Sequence, residues 1–444
     1  ADVSGKGVPA VSHPAPAINV AQQQVLVGDI RFDGITDRER DIILRKTDYQ
    51  ADSYYSREDI ETLLSNIFGT NAFESVTYRL EGSGEPFTLV FDCQRGQVND
   101  FAVGLRADTD ETVAVALHLG LGTRRLSGPR FTTDLKLGTN PALTLDFAYK
   151  SINGLPTVGV DFRTRLINTV SGWASSSYTQ MLNMCADVYL EDCRLRYGSM
   201  RVGFTAEKDP FERYLEQGET YHEWEWKSYW LSAFAQFKYD TFDDGYFPRR
   251  GVRLSLKGRY VFQGYSYDLD PVYHTIEEDP VVTDGGKVPH YISSSASVEA
   301  AFSIGEHFTV LPKFYAGFFR PFGVDVVMHS AYKYLNTRHA VNLGGFIQDR
   351  YVENQIPFFL WPTGFRFTNM ITTMAQVDLR YCFARKNYVT LRSGALIRSD
   401  DFKDFFSNGC YWAFGAEYAR QTVVGPLRVA AQWGGGGGVT GWCG

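Results

Sequence analysis

The chain has 444 residues and a formal net charge of −7, an acidic balance that argues against nucleic acid as a partner. No apolar run approaches the ~18 residues of a membrane helix, so a membrane span would have to be built from strands. Its 42 Gly, 26 Tyr and 32 Phe, with aromatics at 15%, suit barrel strands with interfacial aromatic girdles.

Residues 1–23, with Pro9, Pro14 and Pro16, read as a flexible Pro/Ala-rich linker or tail. They suit a free mature N-terminus and a tether to an upstream segment equally. Ala1 opens no basic region followed by an apolar core, so a mature or excised chain is expected.

Residues 24–97 read as a compact α+β domain. Val25, Val27, Ile30 and Phe32 predict a strand ending at Asp33-Gly34. Thr36 to Glu39 and Ser56 to Asp59 have capping-box spacing, and each precedes apolar residues at helical intervals. Two strands follow, Glu74 to Glu81 and Pro86 to Gln94, giving the order β-α-α-β-β.

From Asn99 the pattern changes to period 2. Tyr229, Leu231, Ala233, Ala235 and Phe237 alternate with Ser232, Gln236, Lys238 and Asp240. Val252, Leu254 and Leu256 alternate with Arg253, Ser255 and Lys257. Similar segments recur to about residue 433. Alternation sends the two sets to opposite faces of a sheet. So many strands with ionic residues on one face cannot share one dry core, but they can line a wet lumen while the other face meets lipid. Fifteen strands can be placed between 99 and 433, with Gly434 to Gly444 as the only place for a sixteenth. The fold class expected for 98–444 is thus an antiparallel transmembrane β-barrel of about 16 strands. Segments 206–227, 265–290 and 319–368 read as long connections on the cell-exterior side.

Several stretches carry a family resemblance. The β-α-α-β-β unit with "FGTNAFESVTY" (Phe68 to Tyr78) resembles a POTRA domain. "YDTFDDGYFPRRGVRLSL" (Tyr239 to Leu256), with Asp240, Asp243, Pro248 and Gly251, resembles the periplasmic turn of the BamA/TamA/FhaC superfamily of assembly and secretion barrels. "AQVDLRY" (Ala375 to Tyr381), "GPLRV" (Gly425 to Val429) and "LGGFIQDRYVENQIPF" (Leu343 to Phe358) resemble its acid-bearing strand, its penultimate strand and its lumen loop. Within that superfamily the pattern is most similar to the POTRA-plus-barrel part of patatin-like lipases.

The resemblance implies a bacterial outer-membrane barrel with its POTRA domain in the periplasm. It also implies that loop 319–368 enters the lumen, placing the motif Gly344, Gly345, Phe346 and Arg350 near the wall strands. The superfamily's loop Arg pairs with wall carboxylates, yet here Gly344 stands at its position. Asp378 keeps one carboxylate, while Arg392 replaces the acid expected on the next strand. Either the lock is reversed, or Arg350 supplies the charge, or these are ordinary lumen charges. An unpaired buried Arg392 would be expensive, so it should find an acid.

The chemistry of an enzyme is not legible. No Gly-x-Ser-x-Gly elbow occurs, the eight His show no metal spacing, and no cofactor or metal is expected. If the chain derives from a patatin-like lipase, the catalytic domain lies outside it. Cys185 and Cys193 flank a polar stretch read as a turn and form a disulfide candidate, whereas Cys93, Cys382, Cys410 and Cys443 read as free, buried thiols.

The barrel is expected to be weakest where its ends meet. Phe101 and Val103 lie on the first strand, while Val439 and Trp442 lie in a glycine-rich terminal segment too short for a full span. Two functions follow. One is assembly, insertion or translocation of β-strand client polypeptides at that seam. The other is a non-transporting anchor for an N-terminal passenger domain. The partners implied are outer-membrane lipid, clients or a passenger, and further envelope subunits.

Overall fold

The computed structural model describes residues 24–46, 49–68, 72–108, 111–151, 155–170, 177–192, 198–217, 221–268, 272–273, 286–287, 289–322, 339–345, 347–361, 366–367, 370–384, 386–399, 402–407, 409–423 and 425–436.

The N-terminal domain comprises β1 (Val25–Asp33), α1 (Asp37–Lys46), β2 (Ser53–Tyr55), α2 (Arg57–Phe68), β3 (Phe73–Glu81) and β4 (Phe87–Arg95). Both helices start where capping chemistry places them. Glu39 Oε2 accepts the Thr36 N–H at 2.9 Å, and Thr36 Oγ1 accepts the Glu39 N–H. Ser56 and Asp59 exchange the same pair of bonds, so orphan amides at each helix start are satisfied. The sheet order is β2-β1-β4-β3, with β1 parallel to β4. The helices bury Ile43, Ile60, Leu63 and Ile67 against Val27, Ile30, Leu89 and Phe91. Leu126, from a later turn, joins this core, so the compact unit recruits residues beyond position 97. The three-residue β2 had no signal of its own, because Ser53–Tyr55 is too short to show a period.

The second sheet is built from β5 (Asp100–Asp108), β6 (Thr112–Leu121), β7 (Gly128–Gly138), β8 (Ala142–Lys150), β9 (Thr157–Val170), β10 (Ser177–Asp192), β11 (Gly198–Gln217), β12 (Tyr221–Asp240) and β13 (Gly251–Asp268). The short β14 (Val272–Tyr273) and β15 (Gly286–Lys287) follow, then β16 (Tyr291–Ile304) and β17 (Phe308–Pro321). Three more two-residue strands, β18 (Asn342–Leu343), β19 (Gln355–Ile356) and β20 (Arg366–Phe367), make a separate small sheet. The last long strands are β21 (Ile371–Phe383), β22 (Asn387–Ser399), β23 (Cys410–Thr422) and β24 (Gly425–Gly436). The strand order closes into a barrel, with β24 beside β5. Alternation survives in the fold: Ile292, Val298 and Phe302 are outward and exposed on β16, while Ser293, Ser295 and Ser297 are buried inward.

Three boundaries differ from the sequence reading. Residues 206–217 and 221–227 are not a loop; they extend the β11–β12 ladder, with a register shift between Asp209 and Glu212. Pro210 and the register shift beside it break the period in the sequence, while the backbone ladder continues past them. Residues 186–192 are likewise strand, not turn. Seven residues of strand at ~3.3 Å each separate Cys185 from Asp192, several times the ~4.4–6.8 Å that a bridge spans. Cys185 is a free thiol whose Sγ receives a bond from Arg163 Nη2 at 3.3 Å, and Cys193 lies outside the described residues. Cys93 is free and buried, whereas Cys382 and Cys410 are free but not buried. Finally, the strand beside β5 is β24, which runs on through Gly434 to Gly436; Val439 and Trp442 lie outside the described residues.

The turn between β12 and β13 is organised by its acids. Asp243 Oδ1 accepts the N–H groups of Arg249 (2.8 Å) and Arg250 (3.1 Å), and Asp240 Oδ2 holds Arg253 Nε at 2.8 Å. Pro248 contributes its carbonyl to Arg380 Nη1 at 3.2 Å. Phe247 is buried, stacked on Tyr388 with ring centroids 4.0 Å apart. Gly251 has φ +111°, and a Cβ there would stand 2.2 Å from the Thr241 carbonyl oxygen. We therefore expect Gly251→Ala to destabilise the barrel by ~2–4 kcal/mol. A lower urea midpoint for the folded, heat-modifiable gel band would register this, and an unchanged midpoint would refute it.

Candidate functional site: the inner segment and the seam

Residues 339–345 and 347–361 form a compact piece held by backbone bonds and by the side chain of Gln355. Gln355 Nε2 donates to the Gly344 carbonyl at 2.8 Å, and its Oε1 accepts the Tyr351 N–H at 3.0 Å. Gly344 (φ +129°) and Gly345 (φ +73°) take the bend, and their N–H groups reach the carbonyls of Ile356 and Trp361. Phe346 lies outside the described residues.

The piece touches β5, β11, β13, β16, β17, β22 and β23, strands spread round the sheet order and reachable together only from inside the barrel. On one side the contact is apolar: Val341, Leu343, Ile356, Phe358 and Phe359 pack on Tyr315, Phe319, Met374, Leu396 and Ala413. The Phe359 ring rests on two wall glycines, where a Cβ on Gly394 would be 3.0 Å and one on Gly415 3.4 Å from it. These glycines are a seat shaped for a ring.

The other side is ionic. Glu353 takes Lys257 Nζ at 2.9 Å and Arg259 Nη2 at 2.7 Å, and Arg259 is 6% exposed. His339, fully buried, lies 2.9 Å from Glu207 Oε2 through Nε2 and 2.5 Å from the Tyr291 hydroxyl through Nδ1. Arg350 lies 3.0 Å from Asp108 Oδ2 and 3.3 Å from Glu111 Oε2. Burial pushes the Glu353 carboxyl up, but the Arg259 and Lys257 cations beside it hold it well below the usual carboxylate range.

The wall charges keep to themselves. Asp378 and Arg392 are directly opposed across β21 and β22. Asp378 takes Lys313 Nζ at 3.0 Å and Gln376 Nε2 at 2.6 Å, with Arg392 Nε at 3.8 Å. Arg392 Nη2 finds its acid in Glu417 of β23, at 2.6 Å. Arg350 is thus engaged at β5, not at this wall. Sequence reading singled out Gly344, Gly345, Arg350, Asp378 and Arg392 but passed over His339, Glu353, Phe359 and Glu417. Glu417 had a usable signal, being an acid at an inward position flanked by outward Ala416 and Tyr418.

The seam strands differ from β21–β23. On β5 every residue from Phe101 to Ala107 is exposed, with Phe101 at 68%, Val103 at 62% and Leu105 at 72%. On β24 Leu427 to Ala431 are exposed in the same unbroken way. Strands β21–β23 keep a buried inner face.

Comparison with known proteins places this geometry. The family model described as the OMP85 superfamily matches residues 189–442. Among solved structures, BamA from Haemophilus ducreyi lacking POTRA domains 1-3 is similar, with TM-score 0.56 and 11% identity over 93% of this chain and 82% of that one. CdiB from Acinetobacter baumannii matches with TM-score 0.44 and 8% identity over 92% of this chain and 74% of that one. No curated protein matches by sequence.

Proposed function

The chain belongs to the OMP85 superfamily, and from that membership we propose that it is an outer-membrane barrel that assembles, inserts or translocates envelope polypeptides. In this reading the α+β domain is a POTRA domain in the periplasm. Its edge strand β3 offers unpaired backbone to an extended client, which adds as a further strand. The client then passes to the β5/β24 seam. The observation that carries the reading is the exposure of both faces of β5 and of the middle of β24, which leaves those strands less side-chain packing than β21–β23 have. Outward apolar residues such as Leu105, Phe302 and Leu391 meet lipid. The chain carries no catalytic role here; what it supplies is a template edge and a polar path.

A second reading, the static anchor for a passenger domain, is favoured by the fastening of the inner segment, whose ring seat and buried ion pairs suit a barrel that stays shut. Proteoliposomes separate the two. With purified chain present, a urea-unfolded barrel client should insert faster than into empty liposomes. Equal rates, with the chain folded and correctly oriented, would favour the anchor.

A further inference from the structure

Asp108 ends β5, and Glu111 lies in the turn after it. Arg350 reaches both, with its side chain 7% exposed and that of Glu111 2% exposed. Glu111 is a junction. It binds Lys136 Nζ of β7 and takes Asn140 Nδ2 at 3.1 Å, and its own N–H donates to Asp108 Oδ1 at 2.7 Å. Asn140 Oδ1 in turn accepts the N–H of Asn168, on β9, at 2.6 Å. Beside Arg350, Tyr351 and Val352 pack on Ile167 of β9 and Met181 of β10.

Two features give this contact a purpose. The Asp378, Arg392, Glu417 and Lys313 charges satisfy one another, so the wall at β21–β23 makes no demand on the segment's cation. The first strand's side chains are exposed along most of its length, so beyond its backbone ladder and the bonds at Asp100, the Arg350 contact is a side-chain tether at its C-terminal end. We infer that Arg350 is the positioning residue of the seam. It holds β5 from inside the barrel, so that the first strand is released only when the inner segment shifts. This rests on the seam reading above.

The variant that tests it should fold, because neither acid is stranded. Without Arg350, Asp108 keeps Arg106 Nε at 2.6 Å, and Glu111 keeps Lys136 and Asn140. Hydrogen exchange on the full chain in lipid nanodiscs reads β5 directly. In Arg350→Ala, amides of 100–108 should exchange about tenfold faster, the scale of one lost charge-assisted bond, while 371–383 stays unchanged. Arg350→Lys should restore part of the protection. Asp108→Asn should reproduce part of the effect, and combining it with Arg350→Ala should add little, since the two residues act through one contact. Unchanged β5 exchange in both single variants would overturn the inference, as would an equal rise in β21. The readout uses no client, so a barrel that passes this test yet inserts nothing keeps Arg350's role and loses only the client-handling reading.

Discussion

Channels formed by Glu353→Ala should conduct several-fold more current than those of the parent barrel, with frequent transitions between levels. Arg259 is almost wholly buried and Lys257 partly so; both pair with Glu353, and Lys257 also lies 3.7 Å from Asp349 Oδ2. Removing one partner of a buried ion pair leaves uncompensated charge, at a cost of ~3–5 kcal/mol. The cheapest relief is for the inner segment to leave its place and admit water to the two cations. Glu353→Gln should fall between parent and alanine variant, because the amide still accepts a bond but carries no charge. The parent's response to acid follows from the same contact. Glu353 is held well below its ordinary value, so its stabilisation is present above the ordinary carboxylate range of ~4.3 and is lost only as pH falls through the lowered value. Mild acidification alone should not unseat the segment through Glu353. Planar-bilayer recording checks both statements, and unchanged conductance in Glu353→Ala would contradict the first.

Gly394→Leu should produce the same opening without touching a charge. Its Cβ alone would stand 3.0 Å from the Phe359 ring, and the added branch would occupy the seat itself. Overpacking of this kind costs ~1–3 kcal/mol, and the wall strand, tied on both sides by ladder bonds, has less room to yield than the segment. Conductance should rise, and Phe359→Ala in the same chain should largely reverse the change by restoring space. If Gly394→Leu conducts like the parent, the ring seat is not what holds the segment.

Much of this architecture was legible before any coordinates, and the physics explains where legibility stopped. Capping-box spacing at Thr36 and Ser56 marked both helix starts, since a cap is a local device that needs no tertiary partner. Alternation marked β16 and β21, whose outer faces are apolar and inner faces polar. It was not followed through 206–217 and 221–227, where Pro210 and a register shift interrupt the period, and the acids of 186–192 were read as a turn although exposed Val188 and Leu190 alternate there with buried Asp187 and Tyr189. The inner segment was recognised by its glycines, but its working contacts come from residues far apart in sequence. Glu353 meets β13, Phe359 meets two glycines of β22 and β23, and Arg350 meets the end of β5. Nothing in local spacing pairs position 350 with position 108. The family pattern pointed to the β21–β22 wall instead, where Arg392 had already found Glu417.

The central claim, that the β5/β24 seam opens to accept a client strand, is tested most directly by locking it. In a background lacking the six native cysteines, Leu105 would be paired with outward positions of β24 such as Leu427 and Val429, and the pair that oxidises retained. Insertion of an unfolded barrel client into proteoliposomes is then timed before and after reduction of the bridge. The account predicts that the oxidised barrel inserts no faster than empty liposomes and recovers on reduction. Full activity with the bridge intact would contradict it.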